Sequence, residues 1–329
     1  MKTENNNTIR LYGCGGCGIN LVSPFANGEV GRGYSETEVG LIDTSTSNYT
    51  DKHKENNVPF FLSTDEGEGS GKVRRDNAEV INDSVRQALQ KIPPAGFNIV
   101  VFSGSGGSGS VIGPLLMKEL LSRGIPAIAI VVGSSESSIT ALNSLNTLKS
   151  LAAIGDTLDK PTIISYHHNS ATTKRSQVDA VCKATISALS ALCSQQNDEL
   201  DQRDVQNWAF YNHSTSVEAQ LSILEVCDSV EVAREIEAPI SVASLLTDKD
   251  LPAPDLMPEY SCIGYRLEGL DDGLTEVHYI ISVDGISELI KYRQDEVEGY
   301  TRSTESRNNS TKKVLHATDK VDSATNLVL

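Results

Sequence analysis

Along the chain, short β-branched apolar runs alternate with longer stretches in which apolar residues recur every three or four positions, the pattern of strands feeding helices. Residues 8–12, 39–43, 98–102, 125–132 and 162–166 read as strands; 73–92, 111–121, a segment beyond 138, and 176–196 read as helices. In the helix over 73–92, Ala78, Val80, Ile81, Val85, Ala88 and Leu89 are the expected inward positions, and Pro93-Pro94 stops it. In that over 176–196 they are Val178, Val181, Ala184, Thr185, Ala188, Leu189 and Leu192. The alternation predicts an α/β fold: a doubly wound, mainly parallel sheet that takes ligands at the carboxyl ends of its strands. From about Ser214 the pattern changes to apolar runs at 222–226, 240–245, 261–267 and 277–283, which predict a second, smaller mixed domain. A helix over 287–298 follows, and the polar segment from 301 is expected to be disordered or to fold on a partner. The expected division is 1–175 for the ligand-binding domain, 176–200 for a long central helix, 201–300 for the second domain and 301–329 for a polar tail.

The candidate chemistry sits where strands meet helices. Gly104-Ser105-Gly106-Gly107-Ser108-Gly109-Ser110 lies between a strand and a helix, where glycines admit an anion close to the backbone and the first helical N–H groups point at it. A linker of the same composition would not be pinned between two apolar elements. A second such turn, Gly13-Cys14-Gly15-Gly16-Cys17-Gly18-Ile19-Asn20, contains G-x-G-x-x-G, and Asp43 ends the next strand as a ribose-binding acid would in a dinucleotide fold. A third glycine-rich stretch, 64–72, carries Asp65, Glu66 and Glu68, which either face solvent or help hold the waters of a nucleotide-bound Mg²⁺. Cys14 and Cys17 form C-x-x-C, but no second pair or His cluster completes a tetrahedral metal site, and no metal ligand is assigned.

Composition narrows the classes. In 329 residues there is room for about two well-buried cores. With 28 Lys and Arg against 44 Asp and Glu the net charge is -16, which disfavours direct nucleic-acid or anionic-membrane binding. No apolar run approaches the roughly 20 residues of a membrane span, and the polar start Met1-Lys2-Thr3-Glu4 shows no secretory signal, so a cytoplasmic location is expected. Without a secretory context the six cysteines are expected as free thiols.

The glycine turns carry a resemblance to the tubulin/FtsZ superfamily of filament-forming GTPases, in particular its prokaryotic and phage branches. Residues 13–20 are similar to the first phosphate loop of FtsZ, G-V-G-G-G-G-G-N, at five of eight positions. Gly106-Gly107-Ser108-Gly109-Ser110 resembles the signature G-G-T-G-T/S-G, with Ser108 for its threonine and Val111 for its last glycine, which implies a nonclassical member. The resemblance implies GTP or GDP with Mg²⁺, phosphates held by Gly13, Cys14, Gly15, Gly16, Cys17 and Asn20 together with residues 104–110, and ribose near Glu136. It further implies a guanine base read by Asn169 and by Asp179, whose carboxylate would accept from the guanine N1–H and N2–H₂. Asp179 reads equally well as an ordinary first-turn acid.

After the long helix, Asn197-Asp198-Glu199-Leu200-Asp201-Gln202-Arg203-Asp204-Val205 matches the FtsZ loop N-x-D-F-x-D-V at Asp201, Asp204 and Val205. Three apart at a helix start, the two acids also read as a helix cap and a first-turn acid. The resemblance makes them catalytic in trans. A helix of about 20 residues spans roughly 30 Å, so they would serve the nucleotide of the next subunit in a longitudinal homopolymer. That implies a GTPase domain, a central helix and a C-terminal activation domain in a cytoskeletal filament of the cytoplasm, or of the host cytoplasm if phage-encoded. Such a filament would position or segregate DNA or phage cargo, with an adaptor or cargo complex as a further partner. Two alternatives stay open: an NAD-dependent oxidoreductase built on residues 13–18, and a nucleotide-bound filament that does not hydrolyse.

Overall fold

The computed structural model describes residues 8–315 except 28–30, 65, 66, 68, 70, 72, 73, 171, 252, 253 and 271, with side chains omitted at 75–77 and 310–315. Asp65, Glu66 and Glu68, considered above for Mg²⁺, lie outside the described residues, as do Met1 to Glu4 at the start of the chain and the last part of the polar tail, 316–329. One sheet of ten strands runs through the molecule, in the order β3-β2-β1-β4-β5-β6-β7-β10-β8-β9. Its first part comprises β1 (Thr8–Cys14), β2 (Glu36–Asp43), β3 (Phe60–Leu62), β4 (Phe97–Ser103), β5 (Ala127–Ser134) and β6 (Thr162–Asn169). All neighbours there pair in parallel. β7 (Leu221–Cys227) joins β6 in parallel, and β10 (Glu276–Ser282) then lies antiparallel to both β7 and β8 (Pro239–Leu246), with β9 (Tyr260–Tyr265) at the edge.

Alternate side chains of the strands feed two apolar layers. On one face Ile9, Leu11, Ile99, Val101 and Ile130 pack against α1 (Gly15–Val22), α6 (Arg175–Leu192) and α7 (Gln202–Ala209). On the other, Tyr12, Val100, Phe102, Ala129 and Val131 meet α3 (Arg74–Lys91), α4 (Gly109–Ser122) and α5 (Ser138–Leu158). α2 (Asp51–Glu55) and α8 (Val230–Ala233) are short connecting turns. From β1 the chain winds outward through β2 and β3, then returns to place β4 on the other side of β1. This reversal opens a crevice at the carboxyl ends of β1 and β4, where doubly wound sheets take their ligands.

The doubly wound arrangement is as expected, but two helices bury only part of their expected faces and one is longer than the sequence pattern indicates. In α3 Ala78 and Val80 are exposed, leaving Ile81, Val85, Ala88 and Leu89 as the buried stripe. In α6 Val181 and Ala184 are exposed while Cys182 and Ile186 are buried, because the stripe follows Val178, Cys182, Ile186 and Leu189 at steps of three and four. α9 (Ile286–Leu315) runs through 301–315, which the composition predicts as part of a polar tail that is disordered or folds on a partner, and its first half packs on α5.

α7 is anchored by Trp208, fully buried, whose indole N–H donates to the Tyr279 carbonyl of β10 at 3.1 Å, while the Tyr279 hydroxyl donates to the Ala188 carbonyl of α6 at 2.6 Å. Trp208→Ala is therefore expected to lower unfolding free energy by about 3–5 kcal/mol, whereas Val181→Ala should stay within about 0.5 kcal/mol; urea unfolding of both variants checks the contrast.

Candidate functional site

Two glycine turns meet backbone to backbone at the crevice. Gly15 takes φ +68°, a conformation suited to glycine, and a β-carbon there would lie 2.8 Å from the Gly109 nitrogen. A β-carbon on Gly109 would in turn lie 2.8 Å from the Cys14 carbonyl oxygen. The first turns of α1 and α4 thereby face one space, with N–H groups that have no intrahelical partner. The cavity between them is about 350 Å³. Of the candidate nucleotide residues, Cys14, Gly15, Gly16, Cys17, Asn20, Ser105, Gly106, Gly107, Ser108, Gly109, Glu136, Asn169 and Asp179 line it.

Three candidates stand behind the wall instead. Gly13 packs on Val22 and Gly18, with a β-carbon there only 2.6 Å from Val22 Cγ2. Gly104 is buried, its carbonyl accepting from the Thr147 hydroxyl at 2.9 Å. Ser110 is fully buried in α4, its hydroxyl without a partner among the described residues. Val111, the departure from the glycine signature, also points away: as the third residue of α4 it joins the apolar layer with Ile81 and Phe102.

The loop over 104–110 is braced by side chains from several elements, most of them without a local sequence signal. Asn143 of α5, buried, donates its amide to the Ser105 carbonyl at 3.2 Å. Arg74 donates to Thr147, extending the chain of hydrogen bonds that reaches Gly104. Asp43 ends β2 and hydrogen-bonds Ser108, and burial pushes its carboxyl above the usual range. Thr44 and Ser108 share a hydroxyl contact of 2.6 Å. Asp43 was legible as a strand-end acid; Asn143, inside a helix, carries no local signal. The C-x-x-C pair separates across the sheet, Cys14 packing into one apolar layer and Cys17 against the other. Burial, with Asp179 nearby, pushes the Cys17 thiol up to about 12, so both sulfurs serve as small uncharged wall groups.

At the far end of the cavity, Asn169 Oδ1 is buried without a partner among the described residues, an acceptor left open to a donor. Asp179 lines the same cavity, five residues into α6, beyond the first turn where a dipole-favoured acid would sit. Gln177, not Asp179, caps that helix by accepting from the Lys174 N–H at 3.1 Å. Glu136 faces Arg175 across the mouth at 3.8 Å.

Asp201 and Asp204 lie elsewhere. Asp201 is the N-cap of α7 and accepts from the Arg203 and Asp204 N–H groups at 2.7 and 3.0 Å, bonds that hold its carboxyl below the usual range. Asp204 accepts from the Asp201 N–H at 3.0 Å, which closes the capping box. Both acids line a second cavity of about 550 Å³ together with Thr8, Phe97 and Leu192. Thr8 starts β1 and Cys14 ends it, so the seven-residue strand separates the two cavities by about 20 Å. The cap reading of the pair is thus present in the geometry, at the end of the sheet opposite the glycine turns.

Residues 8–170 match the GTPase domain of the Tubulin/FtsZ family, and 200–286 match the C-terminal domain of phage tubulin-like proteins. Over 308 residues the chain is 32% identical to a phage tubulin-like protein of Pseudomonas phage phiKZ, spanning 89% of this chain and 90% of that protein. The chain belongs to the phage tubulin-like proteins of the tubulin/FtsZ family. A second phage tubulin-like protein, from Pseudomonas phage PhiPA3, is 30% identical over 85% of this chain and 86% of its own length. Among solved structures, a protofilament of TubZ from bacteriophage PhiKZ superimposes with TM-score 0.83 at 28% identity, covering 98% of this chain and 99% of that one. The phage tubulin PhuZ bound to GDP gives TM-score 0.83 at 26% identity, with the same coverage. The family is one of filament-forming GTPases, and this tubulin-like chain carries its GTPase domain. Among the described residues no helix is long and apolar enough to cross a membrane.

Behind the Asn169 end of the cavity, His168 is held at about 4 by burial and by Arg293, with Tyr166 and Ser135 also against its ring. The unfolded chain protonates this imidazole near 6.5, so between about 6.5 and 4 the unfolded state binds more protons and stability falls as pH falls. Denaturant unfolding across that window should show the loss, and His168→Asn should flatten it; an NMR titration placing His168 near 6.5 would contradict the assignment.

Proposed function

We propose that the chain hydrolyses GTP at an active site completed by two subunits of a homopolymer. The observation that carries this reading is the separation of the two cavities: the glycine turns and the acid pair lie at opposite ends of the same strands. α6 spans the same gap, with Asp179 near its start in the first cavity and Leu192 at its end in the second; its 18 residues extend about 27 Å. Within one subunit the exposed acids cannot reach a phosphate held by Gly15 and Gly109. Stacked head to tail, the acid end of one subunit meets the glycine end of the next.

In this reading the glycine turns hold the phosphates, Glu136 faces the ribose, and Asn169 and Asp179 accept from the guanine edge. The Asn169 Oδ1, without a partner among the described residues, fits a donor such as the guanine N1–H. Adenine offers no such proton at N1, so GTP is favoured over ATP. Mg²⁺, when bound, neutralises charge on the phosphates. The oxygen groups of Asp43, Thr44 and Ser108, clustered at the phosphate loop, are of the kind that would hold it or its waters. Across the interface Asp204 orients and deprotonates the attacking water, with Asp201 as its helper. Filaments of this kind, in the host cytoplasm, would position phage DNA or particles through a cargo or adaptor complex. The protofilament form of the phiKZ relative supports the self-assembly part.

The catalytic role separates from the capping role by isostere. Asp204→Asn keeps an acceptor for the Asp201 N–H but loses the charge. It is expected to fold, bind GTP and polymerise with an unchanged melting temperature, while phosphate release falls roughly 10²-fold or more. Phosphate release per wild-type subunit should also rise with protein concentration. A wild-type rate in Asp204→Asn would reduce the pair to a helix cap. In direct titration GTP should bind more tightly than ATP, and Gly106→Val, at a glycine where a β-carbon meets only the Ser103 side chain at 3.8 Å, should remain folded and lose GTP.

A further inference from the structure

The last helix reaches the back of the glycine-lined cavity through a side-chain cluster that takes no part in holding phosphate or water. Strand alternation splits the end of β6 between two faces: Asn169 turns toward the cavity, His168 toward α9. The next strand is gripped in the same way, since Ser134 and Glu136 both line the cavity and the residue between them, Ser135, is held from behind. Arg293 of α9 places a guanidinium nitrogen 2.8 and 2.7 Å from the two ring nitrogens of His168. His168 Nε2 lies 3.2 Å from the Ser135 hydroxyl, and Tyr300, two turns further along α9, donates its hydroxyl to the Ser135 carbonyl.

The cluster is built rather than incidental. Arg293 is 5% exposed and is itself fixed by Glu296 at 2.8 Å. Tyr166 and His168 stack nearly parallel, and they find room because β5 has Gly133 beside them, where a β-carbon would lie 1.9 Å from the Tyr166 hydroxyl oxygen. Beyond Tyr300 the helix continues to Leu315 with mostly exposed side chains through 309, so α9 has one half on the body of the subunit and one half reaching past it.

We propose that α9 is a positioning element for the ribose and base end of the nucleotide, acting through Arg293–His168 and Tyr300–Ser135, so that the seating of this helix sets the rate at which nucleotide is released. This rests on a guanine nucleotide occupying the cavity. The ends of β5 and β6, which carry Ser134 with the following Glu136 and Asn169 respectively, have their rear faces held by one helix. Loosening that helix frees both ends together. Linkage makes the effect reciprocal: nucleotide that orders these ends also tightens α9.

The test uses the full chain loaded with fluorescently labelled GDP and follows its release on dilution into unlabelled GDP. Tyr300→Phe removes only the hydroxyl on Ser135, and Arg293→Gln removes the guanidinium on His168. Each is expected to release GDP roughly 5–10-fold faster, the size of one lost hydrogen bond. Arg302→Ala, on the exposed part of the same helix, should release at the wild-type rate. Hydrogen exchange on the wild type supplies a readout that does not depend on a variant folding: amides over 293–300 should exchange more slowly with GDP than without it. Wild-type rates in both variants, with exchange over 293–300 indifferent to GDP, would overturn the role of α9 while leaving the nucleotide reading standing. Failure of the wild type itself to retain labelled GDP would overturn the nucleotide reading and this proposal with it.

Discussion

The close approach of Gly15 and Gly109 is the contact on which the rest of the structure depends. Two chain segments almost a hundred residues apart meet there without a side chain between them, and a β-carbon on either would press on backbone of the other at 2.8 Å. Because they touch, the starts of α1 and α4 open onto a single concavity, and their unpaired N–H groups and dipole ends converge on one point, where an anion would be stabilised. The supporting parts follow from holding that contact. Asn143 and Thr147 fix the carbonyls of the second loop, Thr44 meets Ser108 beside it, and Val111 turns away into the apolar layer.

The same sheet that forms the concavity keeps the acid pair away from it. β1 begins at one cavity and ends at the other, and α6 runs alongside with Asp179 at one end and Leu192 at the other. α7 cannot swing to close the gap, because Trp208 and Tyr279 tie it to β10 and α6. A rigid subunit with two incomplete ends supports function in an array better than function alone. The capping box of Asp201 and Asp204 does not compete with that role, since each carboxylate uses only part of its acceptor capacity on backbone N–H groups.

Much of this was legible in the sequence because the signals are local. Strands announce themselves by short β-branched runs, and glycine turns by the backbone conformations they permit, so β1, β4 and both glycine loops fell near their observed places. Where geometry depends on a partner element, the sequence was silent or misleading. Val181 and Ala184 are as apolar as Cys182 and Ile186, and only the packing of α6 on the sheet decides which pair is buried. The polar residues beyond 301 looked like a tail because nothing in their composition requires a helix; seated on α5, α9 carries on through them. Asn143 and Arg293 were invisible for a related reason: a buried polar side chain is explained by the group it meets, and both meet residues distant in the chain.

The central claim is that one subunit supplies the nucleotide and its neighbour the acid, and a mixing experiment addresses it directly. Combine a GTP-binding-defective Gly106→Val chain, which has an intact acid loop, with an Asp204→Asn chain, which has an intact cavity, and measure phosphate release at constant total protein as the ratio is varied. Each chain alone should be nearly inactive, and activity should return in the mixtures, highest near equal proportions, because mixed contacts then pair an intact cavity with an intact acid. Mixtures that never exceed the sum of the separate chains, although the two proteins co-assemble, would contradict an active site shared between subunits.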